Sequence, residues 1–176
     1  RRRNIDFGGV VGTSMSNLGL EQALDSLDIP FARSAVGDRY VMRELLKRGW
    51  DLGGESSGHI ICLDKTTTGD GIISALQALS AISSSENSLA ELIAKLNKYP
   101  QSMVNVRIAD SANVSESEKV RQAVTAVESK LGSKGRVLLR PSGTEPVVRV
   151  MVEGEDKADV LNLAEELAEV VRKEVG

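Results

Sequence analysis

The segment GGESSGHI at residues 53–60 carries the first group of side chains that could do chemistry. Residues 54–58 match G-x-S-x-G, the pattern of a serine-hydrolase nucleophile elbow, and His59, the only histidine of the chain, follows directly. A nucleophile elbow has a helix after its serine, whereas the apolar run that follows Gly58 predicts a strand. His59 is also too close to Ser56 in the chain to follow the order of a hydrolase triad. The sequence therefore argues against a serine hydrolase.

Glu55, Ser57 and His59 stand at alternate positions in the same segment. An extended backbone would place all three side chains on one side. An ionised carboxylate only accepts hydrogen bonds, whereas a hydroxyl and a neutral imidazole can both donate and accept, a mixture that suits the neighbouring hydroxyls of a sugar. The alternative is a polar surface loop whose side chains bond one another, and the residue types alone slightly favour that alternative.

The second group lies in RPSGTEPVVR at residues 140–149, where Arg140 and Arg149 flank a loop between two predicted strands. The loop itself contributes Ser142, Gly143 and Thr144. Two guanidinium groups, two hydroxyls and free backbone N–H groups can together enclose a phosphate dianion. The alternative is a hairpin with unrelated surface arginines, but the SGT core between two strand-end arginines favours phosphate. Glu145 would then have to point away from the bound anion.

A third group is found where two helices are predicted to begin. Asp38 and Asp70 are well suited to be helix N-caps, and this role accounts for both. Arg39, beside the first of these caps, is a candidate for a second anion, which would meet a cation and a helix N-terminus together. The sequence contains no Walker A, G-x-G-x-x-G, H-E-x-x-H or paired-cysteine motif and no D-x-D-type metal cluster, so we predict no metal site in this chain.

The first half of the chain alternates strand and helix patterns. Strands are predicted at 8–13, 30–36 and 59–64, and helices at 18–27, 38–49, 69–82 and 89–96. The third helix carries apolar residues on or near one face, namely Ile72, Ile73, Leu76, Leu79 and Ile82. Gly49 is predicted to end the second helix, and Ser88 with Glu91 forms a capping box for the fourth. This order predicts a three-layer α/β domain, of which the chain holds a part.

The second half has a different order. Strands are predicted at 102–108, 135–140 and 147–153. Ser115 and Glu118 are predicted to cap a helix that ends at Gly132. A final helix begins at Asp156, with these side chains inward: Val160, Leu163, Ala164, Leu167 and Val171. The expected fold is a small α+β domain with two helices on one face of an antiparallel sheet, and a linker at 98–101 divides the chain into domains 1–98 and 99–176.

Composition excludes several classes of protein. The 176 residues carry a formal net charge of -3 and only 3% aromatic residues, which argues against a nucleic-acid partner. No apolar run approaches the length of about 20 residues that a membrane span needs. Cys62 is the only cysteine, so the chain has no internal disulfide, and the apolar run around it predicts a buried, inert thiol. We expect a cytoplasmic protein.

Several segments together resemble one enzyme family, the α-D-phosphohexomutases. GGESSGH at 53–59 resembles the sugar-recognition loop of that family, and RPSGTEP at 140–146 resembles its C-terminal phosphate-binding loop. VVGTSMSNLGLE at 10–21, VGDRYV at 36–41 and TTTGDG at 66–71 resemble most closely the branch that acts on amino sugars. The resemblance covers nearly the whole chain, with both loops in the expected order.

The resemblance implies a fold and a reaction. Members of the family have four domains and interconvert 6-phospho and 1-phospho sugars through a sugar bisphosphate. The first domain supplies a catalytic phosphoserine and the second a Mg²⁺ loop, and neither loop stands in this sequence. The chain resembles most of the third domain followed by the fourth. Because it also lacks a starting Met, we expect a fragment whose partners are the remaining domains and a phosphosugar, and which is inactive alone.

The resemblance also implies roles for individual residues. The sugar would be bound by Arg39, Glu55, Ser57 and His59. The phosphate that is not transferred would be bound by Arg140, Ser142, Gly143, Thr144 and Arg149. No catalytic residue and no metal ligand would lie in this chain. A phosphoglucomutase or phosphomannomutase, a phosphosugar-binding module without chemistry, and a homodimeric assembly all stay open as alternatives.

Overall fold

The computed structural model describes residues 8–108, 114–142 and 145–175, with backbone only at Ser115 and Val175. The chain divides into two compact units, and the boundary lies between Lys98 and Tyr99. Each unit has its own sheet and its own helices. In the described ranges, no helix combines the length and the apolar character that crossing a bilayer requires.

The sheet of the first unit has four strands in the order β2-β1-β3-β4. The strands are β1 (Val10–Thr13), β2 (Phe31–Ser34), β3 (Leu52–Gly54) and β4 (Ile60–Cys62). β1 lies in the centre and pairs in parallel with β2 and β3, while β4 runs antiparallel to β3. The sequence did not predict β3, because a strand of three residues with two glycines shows no hydrophobic period.

Helices lie on both faces of this sheet. They are α1 (Leu18–Asp25), α2 (Asp38–Arg48), α3 (Gly71–Ser83) and α4 (Leu89–Ala94). The connection from β1 to β2 moves towards one edge of the sheet, and the connection from β2 to β3 moves back towards the other edge. Because such connections are right-handed, α1 and α2 lie on opposite faces of the sheet. Val41 and Leu45 of α2 pack with Val11 in one core cluster. The layered α/β architecture predicted for this half is confirmed.

The helix ends of this unit agree with the sequence at most positions. Asp70 caps α3 by accepting from the N–H groups of its first turn, and Ser88 forms the predicted capping box of α4. Gly49 ends α2 with a left-handed φ of 67°. The prediction for Asp38 was wrong. Gly37 is the N-cap and Asp38 is the first helical residue, because the backbone leaves the helix at Gly37, whose φ of 124° favours glycine.

The third helix of this unit packs less than its pattern suggests. None of its residues is buried, and Ile72, Leu76 and Leu79 are exposed. A cavity of about 410 Å³ elsewhere in this unit is lined in part by Leu20, Leu52 and Ile60. Hydrophobic periodicity located α3 correctly, but it did not identify a buried side.

The second unit has an antiparallel three-stranded sheet in the order β5-β7-β6. Its strands are β5 (Gln101–Arg107), β6 (Gly135–Pro141) and β7 (Val147–Gly154), and its helices are α5 (Glu118–Leu131) and α6 (Lys157–Val175). Both helices contribute to the core on one face of the sheet. The inward residues predicted for α6 are all buried. The α+β fold predicted for this half is confirmed.

The start of α5 differs from the prediction. A 3₁₀ turn at Val114–Glu116 occupies the position expected for a Ser115 cap. Ser117 is the N-cap instead and accepts from the N–H of Val120, while Glu118 is already the first helical residue. Its predicted end at Gly132 is confirmed.

Candidate functional site

The G-x-S-x-G segment forms a β-hairpin between β3 and β4. Gly54 pairs with Ile60, the Glu55 N–H donates to the His59 carbonyl at 3.0 Å, and the Gly58 N–H donates back to the Glu55 carbonyl at 3.0 Å. Gly58 has a φ of 98°, which favours glycine at the tip. A strand therefore follows the turn, where a nucleophile elbow needs a helix. The hairpin also means that the backbone is not extended through Ser57.

Glu55, Ser57 and His59 nevertheless meet at one atom. His59 Nδ1 lies 2.9 Å from Ser57 Oγ and 3.1 Å from Glu55 Oε1. The Glu55 side chain is only 8% exposed, whereas that of His59 is 60% exposed. The three side chains lie together as predicted, but the reason differs. A tight turn brings them together, and the extended backbone assumed in the prediction is absent.

The shared nitrogen limits what this group can do. A hydrolase triad needs one imidazole nitrogen facing the serine and the other facing the acid. Here both contacts fall on Nδ1, so His59 cannot relay a proton from Ser57 to Glu55. Because an ionised carboxylate only accepts hydrogen bonds, the contact with Glu55 favours a proton on His59 Nδ1. A neutral His59 then has a free lone pair on Nε2. Glu55, Ser57 and His59 therefore do not form a hydrolase triad, but they retain groups that can bind hydroxyls.

Gly37 is a member of this site that the sequence reasoning missed. Its N–H donates to Glu55 Oε2 at 3.1 Å, so the carboxylate joins the hairpin to the beginning of α2. Arg39 follows two residues later, with its guanidinium 4.5 Å from the centre of the Tyr40 ring and Nη2 2.5 Å from Tyr40 Oη. A glycine before a predicted helix was the only sequence signal for this contact.

The two arginines of the second segment lie directly opposite each other. Arg140 on β6 and Arg149 on β7 are partners in the antiparallel register. Residues opposed in this way have Cβ atoms about 4.5–5.5 Å apart, and like charges in such a pair destabilise a sheet. Both Nε atoms are buried, and neither has a hydrogen-bond partner within the described residues. Two adjacent cations with unused donors are chemically suited to hold an anion.

The loop between these strands is described only in part. Ser142 follows β6 directly, and its N–H donates to the Val147 carbonyl at 2.9 Å. Gly143 and Thr144, both predicted to bind phosphate, lie outside the described residues. Glu145 was expected to point away from a bound anion, but its Oε2 lies 3.5 Å from Arg149 Nη2. The carboxylate is therefore a weak counter-ion of one of the two arginines.

Cys62 lies in β4, at the foot of the hairpin, and its side chain is buried. Burial raises the pKa of its thiol above the usual value, and the nearby Asp64 carboxylate adds to that rise. A thiol with a raised pKa is a poor nucleophile at neutral pH. The structure thus agrees with the prediction of an inert cysteine.

Comparison with known proteins assigns the chain to a family. The model of the phosphoglucomutase/phosphomannomutase α/β/α domain III matches residues 1–99. The model of the C-terminal domain of the same family matches residues 103–170. The chain belongs to the phosphoglucomutase/phosphomannomutase family. The resemblance seen in the two loops is confirmed, and the matched parts are the third and the C-terminal domains.

Among curated relatives of this family, phosphoglucosamine mutases are highly similar. The enzyme of Cellvibrio japonicus (strain Ueda107) is 60% identical over 163 residues, which cover 93% of this chain and 37% of the relative. That of Vibrio vulnificus (strain YJ016) is 58% identical over 171 residues, which cover 97% of this chain and 38% of the relative. The chain therefore spans less than two fifths of the length of these relatives.

Solved structures of the family share the fold. An N-acetylphosphoglucosamine mutase of Aspergillus fumigatus has a TM-score of 0.80 at 20% identity, and the match covers 94% of this chain and 38% of that one. The same enzyme in complex with GlcNAc-6P and magnesium also has a TM-score of 0.80 at 20% identity, covering 93% of this chain and 41% of that one. At this identity the likeness supports the fold alone.

Proposed function

We propose that this chain is the substrate-binding part of a phosphoglucosamine mutase, which interconverts glucosamine 6-phosphate and glucosamine 1-phosphate through a bisphosphate. The observation that carries the proposal is the Arg140–Arg149 pair beside the SGT loop. It occurs in a chain that is 60% identical to a phosphoglucosamine mutase. The enzyme would supply amino-sugar precursors of the cell wall, and we assign it to the cytoplasm.

In this proposal the arginine pair binds the phosphate that is not transferred. A dianion between Arg140 and Arg149 would relieve the repulsion of two cations held opposite each other and would use their unpaired Nε donors. Ser142, Gly143 and Thr144 would add hydroxyl and N–H donors from the loop. Because Glu145 lies near Arg149, its carboxylate must give way when the phosphate binds.

The hairpin would bind the hydroxyls of the sugar. One carboxylate oxygen of Glu55 contacts His59 Nδ1, and the other accepts a hydrogen bond from the Gly37 N–H. Each oxygen can accept one more hydrogen bond from a ligand. His59 Nε2 accepts from a second hydroxyl, and Ser57 Oγ can donate or accept. Because these groups include both donors and acceptors of hydrogen bonds, the hairpin could accept the sugar in either direction, as a bisphosphate that turns between two half-reactions requires.

Phosphoryl transfer itself needs groups that we place elsewhere in the longer protein. Mg²⁺ would neutralise charge on the transferring phosphoryl group, and a phosphoserine would donate it. Within the residues that the structure describes, no three His, Cys, Asp or Glu side chains are grouped so that they could hold a metal ion. In this proposal, the residues of this chain bind and orient the substrate.

Replacement of Arg140 tests the phosphate site. Arg140→Ala in the full-length protein should weaken binding of glucosamine 6-phosphate roughly tenfold or more, because charge-assisted hydrogen bonds are lost. Arg121→Ala, which removes an exposed arginine of α5, is the matched control and should bind like wild type. Calorimetric titration measures both affinities. Unchanged affinity in Arg140→Ala would show that the phosphate binds elsewhere.

Replacement of Glu55 tests the sugar site and the choice of substrate. Glu55→Ala should reduce the preference for glucosamine 6-phosphate over glucose 6-phosphate and mannose 6-phosphate, while the affinity for inorganic phosphate stays close to wild type. The ratios of kcat/KM among the three sugars measure this preference. Equal losses for all three would contradict the role of Glu55. A wild-type enzyme that prefers glucose or mannose phosphate would instead identify a phosphoglucomutase or phosphomannomutase.

A further inference from the structure

We propose that β5 adds two side chains, Asn105 and Arg107, to the phosphate site of Arg140 and Arg149. This inference rests on the phosphate-binding role proposed above. Neither residue lies in the loop segment that marks the site in the sequence, and both come from a strand more than 30 positions earlier in the chain. The register of the sheet brings them to the same place.

Three polar residues form one row across the sheet. Asn105 on β5 is the register partner of Arg149 on β7, and Arg149 is the partner of Arg140 on β6. Side chains of partner residues point to the same face of a sheet. Asn105 thus stands on the same face as the two arginines, next to the central one.

Arg107 stands on that face as well, one row closer to the loop. It is the partner of Val147, the first residue of β7 after the loop. The next residue, Ile108, donates its N–H to the Pro146 carbonyl at 3.0 Å, which fixes the end of β5 against the end of the loop. Between Asn105 and Arg107, Val106 points the other way and is buried in the core. Asn105 and Arg107 are both exposed.

The charges on this face are unevenly distributed. At its far end, Arg136 and Glu153 are register partners and form an ion pair of 2.6 Å, so the charge of that arginine is neutralised. At the loop end, the described residues include three arginines, at 107, 140 and 149, and a single carboxylate, Glu145. An excess of cations on neighbouring strands fits a ligand that carries two negative charges.

The two side chains would have different tasks. Arg107 would add a third cation with paired N–H donors at the mouth of the loop, which suits the geometry of a phosphate. Asn105, which carries both a donor and an acceptor, would orient the Arg149 guanidinium or donate to a phosphate oxygen. Both are binding residues, and neither takes part in bond making.

Titration of the full-length protein with inorganic phosphate and with glucosamine 6-phosphate tests the proposal. Arg107→Ala should weaken both affinities roughly tenfold and make them less sensitive to salt, while Arg107→Lys should recover part of the loss. Asn105→Ala should weaken both about threefold. Gln101→Ala is the matched control, since it is exposed on the same face at the far end of β5, and it should bind like wild type.

Including Arg140→Ala separates the two proposals. If Arg140→Ala loses affinity but Arg107→Ala and Asn105→Ala bind like wild type, the role of β5 is refuted and the phosphate site stands. If Arg140→Ala also binds like wild type, the phosphate site itself is misplaced and the inference about β5 is lost with it. Equal losses in Arg107→Ala and Gln101→Ala, with an unchanged salt dependence, would indicate damage to the sheet and would also refute it.

Discussion

Glu145 is the single carboxylate near the proposed phosphate site within the described residues. Its carboxylate is 3.5 Å from Arg149 Nη2 and 59% exposed, so the ion pair is long and open to water. Surface pairs of this kind contribute little to stability. At the proposed site the same carboxylate would compete with a phosphate for Arg149, and its effect should therefore be seen in phosphate affinity.

We predict that Glu145→Gln tightens binding of inorganic phosphate by about two- to fivefold, because a competing negative charge is removed. Calorimetric titration at low salt measures the change. The affinity of Glu145→Asp should stay near that of wild type, since it keeps the charge. Weaker binding in Glu145→Gln would mean that the carboxylate helps to build the site.

Residue types were predictable from the sequence, and their partners were not. The mixture of Glu55, Ser57 and His59 correctly suggested a polar cluster, but the single nitrogen that joins them follows from the hairpin geometry. The contact of Gly37 could not be predicted from residue type, because its donor is a backbone N–H, which every residue except proline carries. Side-chain roles as ligands stay predictions until binding is measured.

At the scale of elements, the central strand β7 carries one end of a buried ion pair. Glu153 is fully buried, and its carboxylate accepts from Arg136 Nε at 2.6 Å on the neighbouring strand. Removing one partner of a buried ion pair is strongly destabilising, because the charge that stays loses much of its compensation. This buried ion pair should therefore contribute more to the stability of the sheet than the exposed ion pairs of the same unit do.

We predict that Glu153→Ala lowers the free energy of unfolding of the second unit by about 3 kcal/mol. Glu155→Ala is the control, because its pair with Lys134 is exposed and should matter by less than about 1 kcal/mol. Urea unfolding followed by circular dichroism measures both. Equal midpoints for the two variants would contradict a structural role of the buried pair.

The contact between α5 and α6 should make stability depend on pH. Lys119 Nζ lies 2.8 Å from Glu174 Oε1, and this hydrogen bond lowers the pKa of Glu174 below its ordinary value of 4.5. A lowered pKa stabilises the fold above about pH 4.5, and that stabilisation is lost as pH falls through the lower value in the folded state. The same contact raises the pKa of Lys119, so its contribution is lost only as pH rises past about 10.5.

We predict that the difference in Tm between wild type and Glu174→Gln is present at neutral pH and shrinks as pH falls below about 4.5. Thermal unfolding across that range measures it. Glu128→Gln, on the exposed side of α5, should show no such convergence. A constant difference for Glu174→Gln at every pH would show that the lost contact is not ionic.

The elements themselves were largely predictable, for physical reasons that also explain the failures. Long amphipathic helices such as α5 and α6 carry a clear period, and their apolar faces meet a sheet. β3 has only three residues and takes its place from its neighbours in the sheet. Asp38 and Ser115 were assigned as caps because their types suit the role, but the backbone turns into the helix at Gly37 and Ser117.

At the scale of the whole molecule, the two units differ in how well they cover their apolar residues. The unit that ends at Lys98 exposes large apolar side chains on α3 and α4, among them Ile72, Leu79 and Ile93. The other unit has a core to which both helices contribute. The sequence showed two kinds of fold, but periodicity alone could not show that one would leave apolar faces uncovered.

We predict that residues 99–176 fold when produced alone and unfold cooperatively, whereas residues 1–98 alone bind a fluorescent apolar dye strongly. Exposed apolar patches of this extent usually bind a partner or lead to association. Dye fluorescence and urea unfolding of the two pieces measure this difference. Strong dye binding by residues 99–176, or no dye binding by residues 1–98, would contradict the view that the first unit exposes more apolar surface than the second.

We also predict that the 176-residue chain binds inorganic phosphate without interconverting glucosamine 6-phosphate and glucosamine 1-phosphate. In the function proposed here, the phosphoserine and the Mg²⁺ that take part in the transfer belong to other domains of a longer protein, and this chain would only bind and orient the substrate. A coupled turnover assay beside a phosphate titration measures both properties. Turnover by the purified chain would show that the reaction needs fewer groups than we assign to it.

The contact between Glu55 and Gly37 has a consequence for the thermodynamics of recognition. With one oxygen on the imidazole and the other on the backbone before α2, the carboxylate holds the hairpin in shape before any sugar arrives. Ordering of the loop then belongs to folding, and a ligand meets side chains that are already aligned. In the proposed function, sugar binding should accordingly show a small entropic penalty, and the hydrogen-bonded amides of Glu55 and Gly58 should exchange slowly even in the free protein.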